Sequence, residues 1–250
     1  MTTTAWLTTA LCLAVGVAGG LAVPALVRRL PEPPLGDQGA SEADEPVAEG
    51  ATIPPKVPYA ALAAAPGLGP VSAAVAGLAC ALVGWRTGPD PAAAPLVYLC
   101  VVGVLLAYVD LRVHLLPNAV VLPSYAVVGA GLLLVAAVGD AWPALLGAAA
   151  GLAVSWGLLF VLLLVHPAGM GFGDVKLAGL LGLALGWLGL PEVLVAAFTA
   201  FLLGGLTGLA LLLCRRAGRR TAIPFGPFLL IGYLVAVAAG EPIARWYLGA

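Results

Sequence analysis

Apolar residues fall along the chain in runs too long for strands. They fill 5–27, 59–85, 94–109, 119–139, 143–165, 175–190, 193–214 and 225–247, with breaks rich in proline, glycine and charge. About 20 residues of helix cross the hydrocarbon core of a bilayer, and a helix satisfies its own backbone groups there. The pattern predicts an all-α polytopic membrane protein of about eight transmembrane helices. The runs 94–109 and 175–190 are short, which sets Asp110 and Asp174, at their ends, at or just inside the membrane boundary. Pro66 and Pro70 blur the start of the second run. One long stretch breaks the pattern. Residues 28–57 carry six prolines and Glu32, Asp37, Glu42, Asp44, Glu45 and Glu49, too polar to bury a core. The expected division is therefore 1–57, a signal-anchor helix with a flexible acidic, proline-rich cytoplasmic loop, and 58–250, a membrane-embedded domain.

Charge sets the orientation. Arg28 and Arg29 follow the first run and no basic residue precedes it, the arrangement of a signal-anchor with its N-terminus outside. Alternation from there puts Arg28, Arg29, Lys56, Arg112, Lys176, Arg215, Arg216, Arg219 and Arg220 inside and only Arg86 and Arg245 outside, as the positive-inside rule requires. The membrane is then the cytoplasmic membrane, crossed many times. Lipid is the expected surroundings, and the Arg215–Arg220 cluster also suits anionic headgroups. Composition agrees, with 62% hydrophobic and 9% charged residues, far from the quarter or so charged in soluble domains. A net charge of −1 implies no nucleic-acid partner. Cys12, Cys80, Cys100 and Cys214 lie in apolar runs without a C-x-x-C pair. We expect no metal site and no cofactor. Oligomeric state is not legible.

The candidate chemistry comes from counting carboxylates. Of twelve, six lie in 28–57, and Asp90, Asp140, Glu192 and Glu241 fall toward the outer side. Asp110 and Asp174 alone remain, both at inner ends of spans, where they can meet. Asp174 closes Gly169-Met170-Gly171-Phe172-Gly173-Asp174-Val175-Lys176, whose glycines free the backbone and admit a close neighbour. An acid held at a membrane helix end has a function by default. The plain alternative for Asp110 is a boundary aspartate paired with Arg112. Two adjacent carboxylates cannot both ionise easily, so one can activate a water while the protonated one polarises a carbonyl. Asp174 begins a helix and Asp110 ends one, so the helix dipole favours Asp174 as the ionised base and Asp110 as the proton holder. The pair titrates as a unit.

These residues resemble a known family, the type IV prepilin peptidases, which are membrane aspartic proteases of the GxGD type. Gly169–Leu177 is similar to the GxGD motif throughout, Met170 and Lys176 included. Asp110 with Arg112, Leu115-Leu116-Pro117 and Pro123 resembles the first aspartate motif. Ile223-Pro224-Phe225-Gly226-Pro227-Phe228 is similar to the segment before the last span. The resemblance covers roughly 95–240. It implies an aspartic endopeptidase that removes the short basic leader from type IV pilin, pseudopilin or Flp-type precursors at the cytoplasmic face. Asp110 and Asp174 are then the catalytic pair, Gly171 and Gly173 permit close backbone approach, and Lys176 and Arg112 tune or position the site. Longer members carry two C-x-x-C pairs linked to N-methylation of the mature pilin. Those pairs are missing here, so methyltransferase activity is not expected. Asn118 stands where many relatives have aspartate, which argues against an acid role there. The main rival is an ion- or proton-coupled transporter using the two aspartates, which would place its acids near mid-bilayer.

Overall fold

The computed structural model describes residues 3–32, 58–166, 170–214 and 224–248. Gly169, most of the acidic loop and the Arg215–Arg220 cluster lie outside the described residues. Within them every regular element is a helix: α1 (Thr3–Arg28), α2 (Tyr59–Ala63), α3 (Leu68–Thr87), α4 (Ala93–Val113), α5 (Asn118–Gly139), α6 (Trp142–Val165), α7 (Phe172–Leu188), α8 (Leu190–Leu213) and α9 (Gly226–Leu248).

Seven of these are long and apolar enough to cross a membrane, which makes the chain an all-α polytopic membrane protein. Two details depart from the apolar pattern. The run 59–85 is divided, because α2 stops at Ala63 and α3 begins only at Leu68, after Gly67 in the left-handed region at φ 80°. Pro66 explains the break, since the residue before a proline is driven out of helical geometry. The expected sixth run is α7, which at 17 residues is shorter than a full crossing. Twelve of those 17 residues are buried, and α7 packs against α4, α5, α6, α8 and α9. A helix surrounded by protein need not match the thickness of lipid.

Close glycine packing fixes these positions. Lipid tails are as apolar as leucine, so helices in a bilayer gain from backbone approach at small residues. A Cβ on Gly16 of α1 would come 2.5 Å from the Ala76 carbonyl oxygen of α3. One on Gly147 of α6 would come 2.6 Å from the Gly186 carbonyl oxygen of α7. At one end of the bundle Arg86, at the end of α3, donates to Glu241 near the end of α9 at 2.6 Å, and Arg245 joins the same carboxylate at 3.3 Å. At the other end α2 is tied down. Glu32 accepts from the Tyr59 N–H at 2.7 Å, and the Tyr108 hydroxyl of α4 donates to the Leu62 carbonyl at 2.7 Å. Tyr108 stands half a turn before Asp110.

Candidate active site

Three helix ends converge around the two aspartates. Asp110 lies in the last turn of α4 and is buried. The helix stops three residues later, where His114 takes a left-handed conformation at φ 53° and donates its N–H to the Asp110 carbonyl at 2.9 Å. Leu115, Leu116 and Pro117 then carry the chain into α5. Asp174 sits three residues into α7 and is also buried. Its N–H donates to the Gly171 carbonyl at 3.0 Å, and the Gly171 N–H donates back to Asp174 Oδ2 at 3.2 Å. This reciprocal pair fixes the carboxylate at the helix start, where the dipole favours it.

α4 and α7 touch. The connection between α4 and α5 also packs closely on the start of α7 at Gly173, where an added Cβ would stand 3.1 Å from Leu116 Cβ. Gly171 has φ −81°, open to any residue, and Gly173 is helical. Conformational freedom, expected of both, is therefore not what either supplies. Close approach is, and it is tight at Gly173 and ordinary at Gly171, whose Cβ would lie 3.6 Å from Asp174 Oδ2.

The two basic candidates point elsewhere. Lys176 Nζ donates to Asn118 Oδ1 at 2.9 Å and lies 4.7 Å from the Phe172 ring centre. The Arg112 guanidinium lies 5.5 Å from the Tyr108 ring centre. It forms no ion pair with Asp110; among the described residues the ion pairs are those of Glu241. Positions i and i+2 of a helix do not face each other, which removes the Asp110–Arg112 pairing.

One contact escaped the reading of the residues. The Gly226 N–H, at the first position of α9, donates to Asp110 Oδ2 at 3.0 Å in a buried setting. Asp110 therefore ends one helix and caps another. The dipole asymmetry expected between the two aspartates does not hold, because each carboxylate meets a helix N-terminus. Each engages Oδ2, and Oδ1 of each makes no hydrogen bond among the described residues. Glycine has no functional group to signal such a role, and only the resemblance of 223–228 marked the segment.

Supports lie one layer out. The Tyr125 hydroxyl of α5 donates to the Lys176 carbonyl at 2.6 Å. Along the same face of α7 as Asp174, Ala178 and Gly182 line a small apolar cleft with Ser155, Ala196 and Leu229. Its position one and two turns beyond the aspartate follows from the 3.6-residue repeat.

Residues 97–213 match the type IV leader peptidase family. The chain is 40% identical over 151 residues to a prepilin leader peptidase/N-methyltransferase of Aeromonas hydrophila, covering 58% of this chain and 49% of that protein. It is 36% identical over 167 residues to one of Pseudomonas putida, covering 65% and 55%. A third, from Legionella pneumophila, is 44% identical over 80 residues, 32% of this chain and 27% of that protein. The chain thus spans about half the length of the relatives it matches. No solved structure matches.

Proposed function

We propose, for a chain whose residues 97–213 match the type IV leader peptidase family, a membrane-embedded aspartic endopeptidase that removes the short basic leader of a type IV pilin, pseudopilin or Flp-type precursor. The observation that carries the reading is the pair itself: two buried aspartates, 64 positions apart in sequence and carried by helices that touch, are each held at Oδ2 by a backbone N–H.

The chemistry follows from that pairing. At working pH the pair keeps one proton. The ionised carboxylate takes a proton from water as the water oxygen bonds to the scissile carbonyl carbon. The protonated partner gives its proton to the carbonyl oxygen, forming a neutral tetrahedral diol. A proton then passes to the leaving amide nitrogen, the C–N bond breaks, and the pair returns to one proton. The unanchored Oδ1 atoms are the ones open to water and substrate. With both aspartates hydrogen-bonded, neither assignment of base and acid is favoured by helix polarity.

The aspartate-bearing ends face the cytoplasm in this proposal, because nine of the eleven Lys and Arg residues then lie on that side. Lys176 and Arg112 touch neither carboxylate, and in this proposal they act only as positioning groups, through Asn118, Phe172 and Tyr108. The printed names of the relatives include N-methyltransferase. The proposal here concerns cleavage. Residues 58–250 would carry the activity, with lipid around them. A transporter would need its acids near mid-bilayer, and these stand at helix ends.

The test is co-expression with leader-bearing prepilins, followed by N-terminal sequencing of the product. A new N-terminus at the end of the basic leader supports the proposal. Failure on representatives of all three precursor classes, with the protein present in the membrane, overturns it.

A further inference from the structure

The start of α9 has an unusual account of its backbone donors. The first residues of a helix leave N–H groups without intrahelical partners. Here Phe228 and Leu229 donate to the Phe225 carbonyl at 3.1 and 3.2 Å, and Pro227 has no N–H to give. One donor is left, that of Gly226, and it goes to Asp110 Oδ2. The segment is also held from outside. The Phe225 ring lies 5.1 Å from Phe201 of α8 and 6.4 Å from Phe228, and Phe225 closes on Gly204, where an added Cβ would stand 3.1 Å away. A larger residue at 226 would displace the Asp110 carboxylate, because its Cβ would stand 2.6 Å from Asp110 Oδ2. Its φ is not positive, so conformation does not demand glycine. The neighbouring carboxylate does.

From this we infer that Gly226 is a positioning residue for Asp110: the α9 start, anchored on α8 through Phe225, clamps Oδ2 and so fixes where Oδ1 is presented. The inference rests on the reading of Asp110 as half of the catalytic pair. It adds a third helix end to a site that the two aspartate motifs alone would build from α4 and α7. A hydrogen bond to a charged oxygen is among the stronger ones, and a donor fixed by a helix end needs no rearrangement during the reaction. Small displacements of a reacting group are costly, about 100-fold for 1 Å.

The experiment compares purified wild type, Gly226→Ala, Phe225→Leu and Gly205→Ala on a leader-bearing prepilin peptide in detergent micelles, with kcat and KM separated. Gly205 is on α8 with nothing within 4 Å of an added Cβ, so its variant controls for a general effect of filling a glycine. Gly226→Ala should lower kcat by about 10- to 100-fold with KM within about 3-fold of wild type. Phe225→Leu adds no atom beside Asp110 and only loosens the anchor, so its fall should be smaller but also confined to kcat. If Gly226→Ala does not accumulate in the membrane, Phe225→Leu decides alone. Wild-type kcat in the variants that accumulate overturns the inference while leaving the peptidase reading intact. A loss carried by KM also overturns it. Failure of wild type to cleave overturns the peptidase reading, and this inference with it.

Discussion

Gly151→Ala tests whether the α6–α7 seam holds the site together. An added Cβ at Gly151 would stand 2.7 Å from the Gly186 Cα, and closer still to the Gly182 carbonyl oxygen. Carbon atoms in contact lie about 3.5–4.0 Å apart, so the two helices must part by roughly 1 Å. Both partners are backbone, and neither can turn aside as a flexible side chain would. Overpacking of this kind costs about 1–3 kcal/mol. The consequence for activity comes through α7, which carries Asp174 about two to three turns before the seam, and a shift approaching 1 Å at the carboxylate lowers the rate by up to about 100-fold. Gly157→Ala is the matched control: it lies on the same helix, with nothing within 4 Å of its added Cβ, and alanine gains about 1 kcal/mol of helix propensity over glycine. Thermal melting and leader cleavage in detergent read both effects. Gly151→Ala should melt lower and cleave at least about 10-fold more slowly, and Gly157→Ala should match or exceed wild type in stability. Equal melting and equal cleavage in the two variants would refute the claim that backbone contact at this seam positions α7.

Two further outcomes follow from the same geometry. Tyr125→Phe removes the 2.6 Å hydrogen bond to the Lys176 carbonyl, which should cost about 1 kcal/mol in detergent melting with cleavage reduced a few-fold; an unchanged melt would mean the hydroxyl contributes nothing. Because the pair works with one shared proton, cleavage should rise and then fall with pH, losing the base when both carboxylates are protonated and the acid when both are ionised; a profile with a single limb would contradict that division of roles.

Much of the fold was legible because membrane helices announce themselves by length and hydropathy. The limits have local causes. Pro66 divides a run whose apolar character is continuous. The 17 residues of α7 fall short of a span because protein, not lipid, surrounds them. Asp110 and Asp174 could be singled out because acids are scarce in the apolar part of the chain and alternation sorts them by side. What could not be read was the environment of each carboxylate. Sequence distance hides a contact such as that between Asp110 and Gly226, 116 positions apart, and glycine carries no chemical label. The expected dipole asymmetry is absent for the same reason, since Asp110 ends α4 and also caps α9. Arg112 illustrates the converse, since nearness in sequence suggested an ion pair that helical geometry forbids.

The central claim is that Asp110 and Asp174 act together as the hydrolytic pair. Its most direct test is cleavage of a co-expressed leader-bearing prepilin by wild type, Asp110→Asn, Asp174→Asn and the double variant, at equal membrane abundance. Asparagine keeps the shape and can still accept the Gly226 and Gly171 N–H groups, but it cannot take up or deliver the proton. The account predicts that each single variant loses nearly all activity and that the double variant is no worse than either, because the two act as a unit. Substantial cleavage by both single variants would mean that the aspartates are structural and the mechanism is wrong.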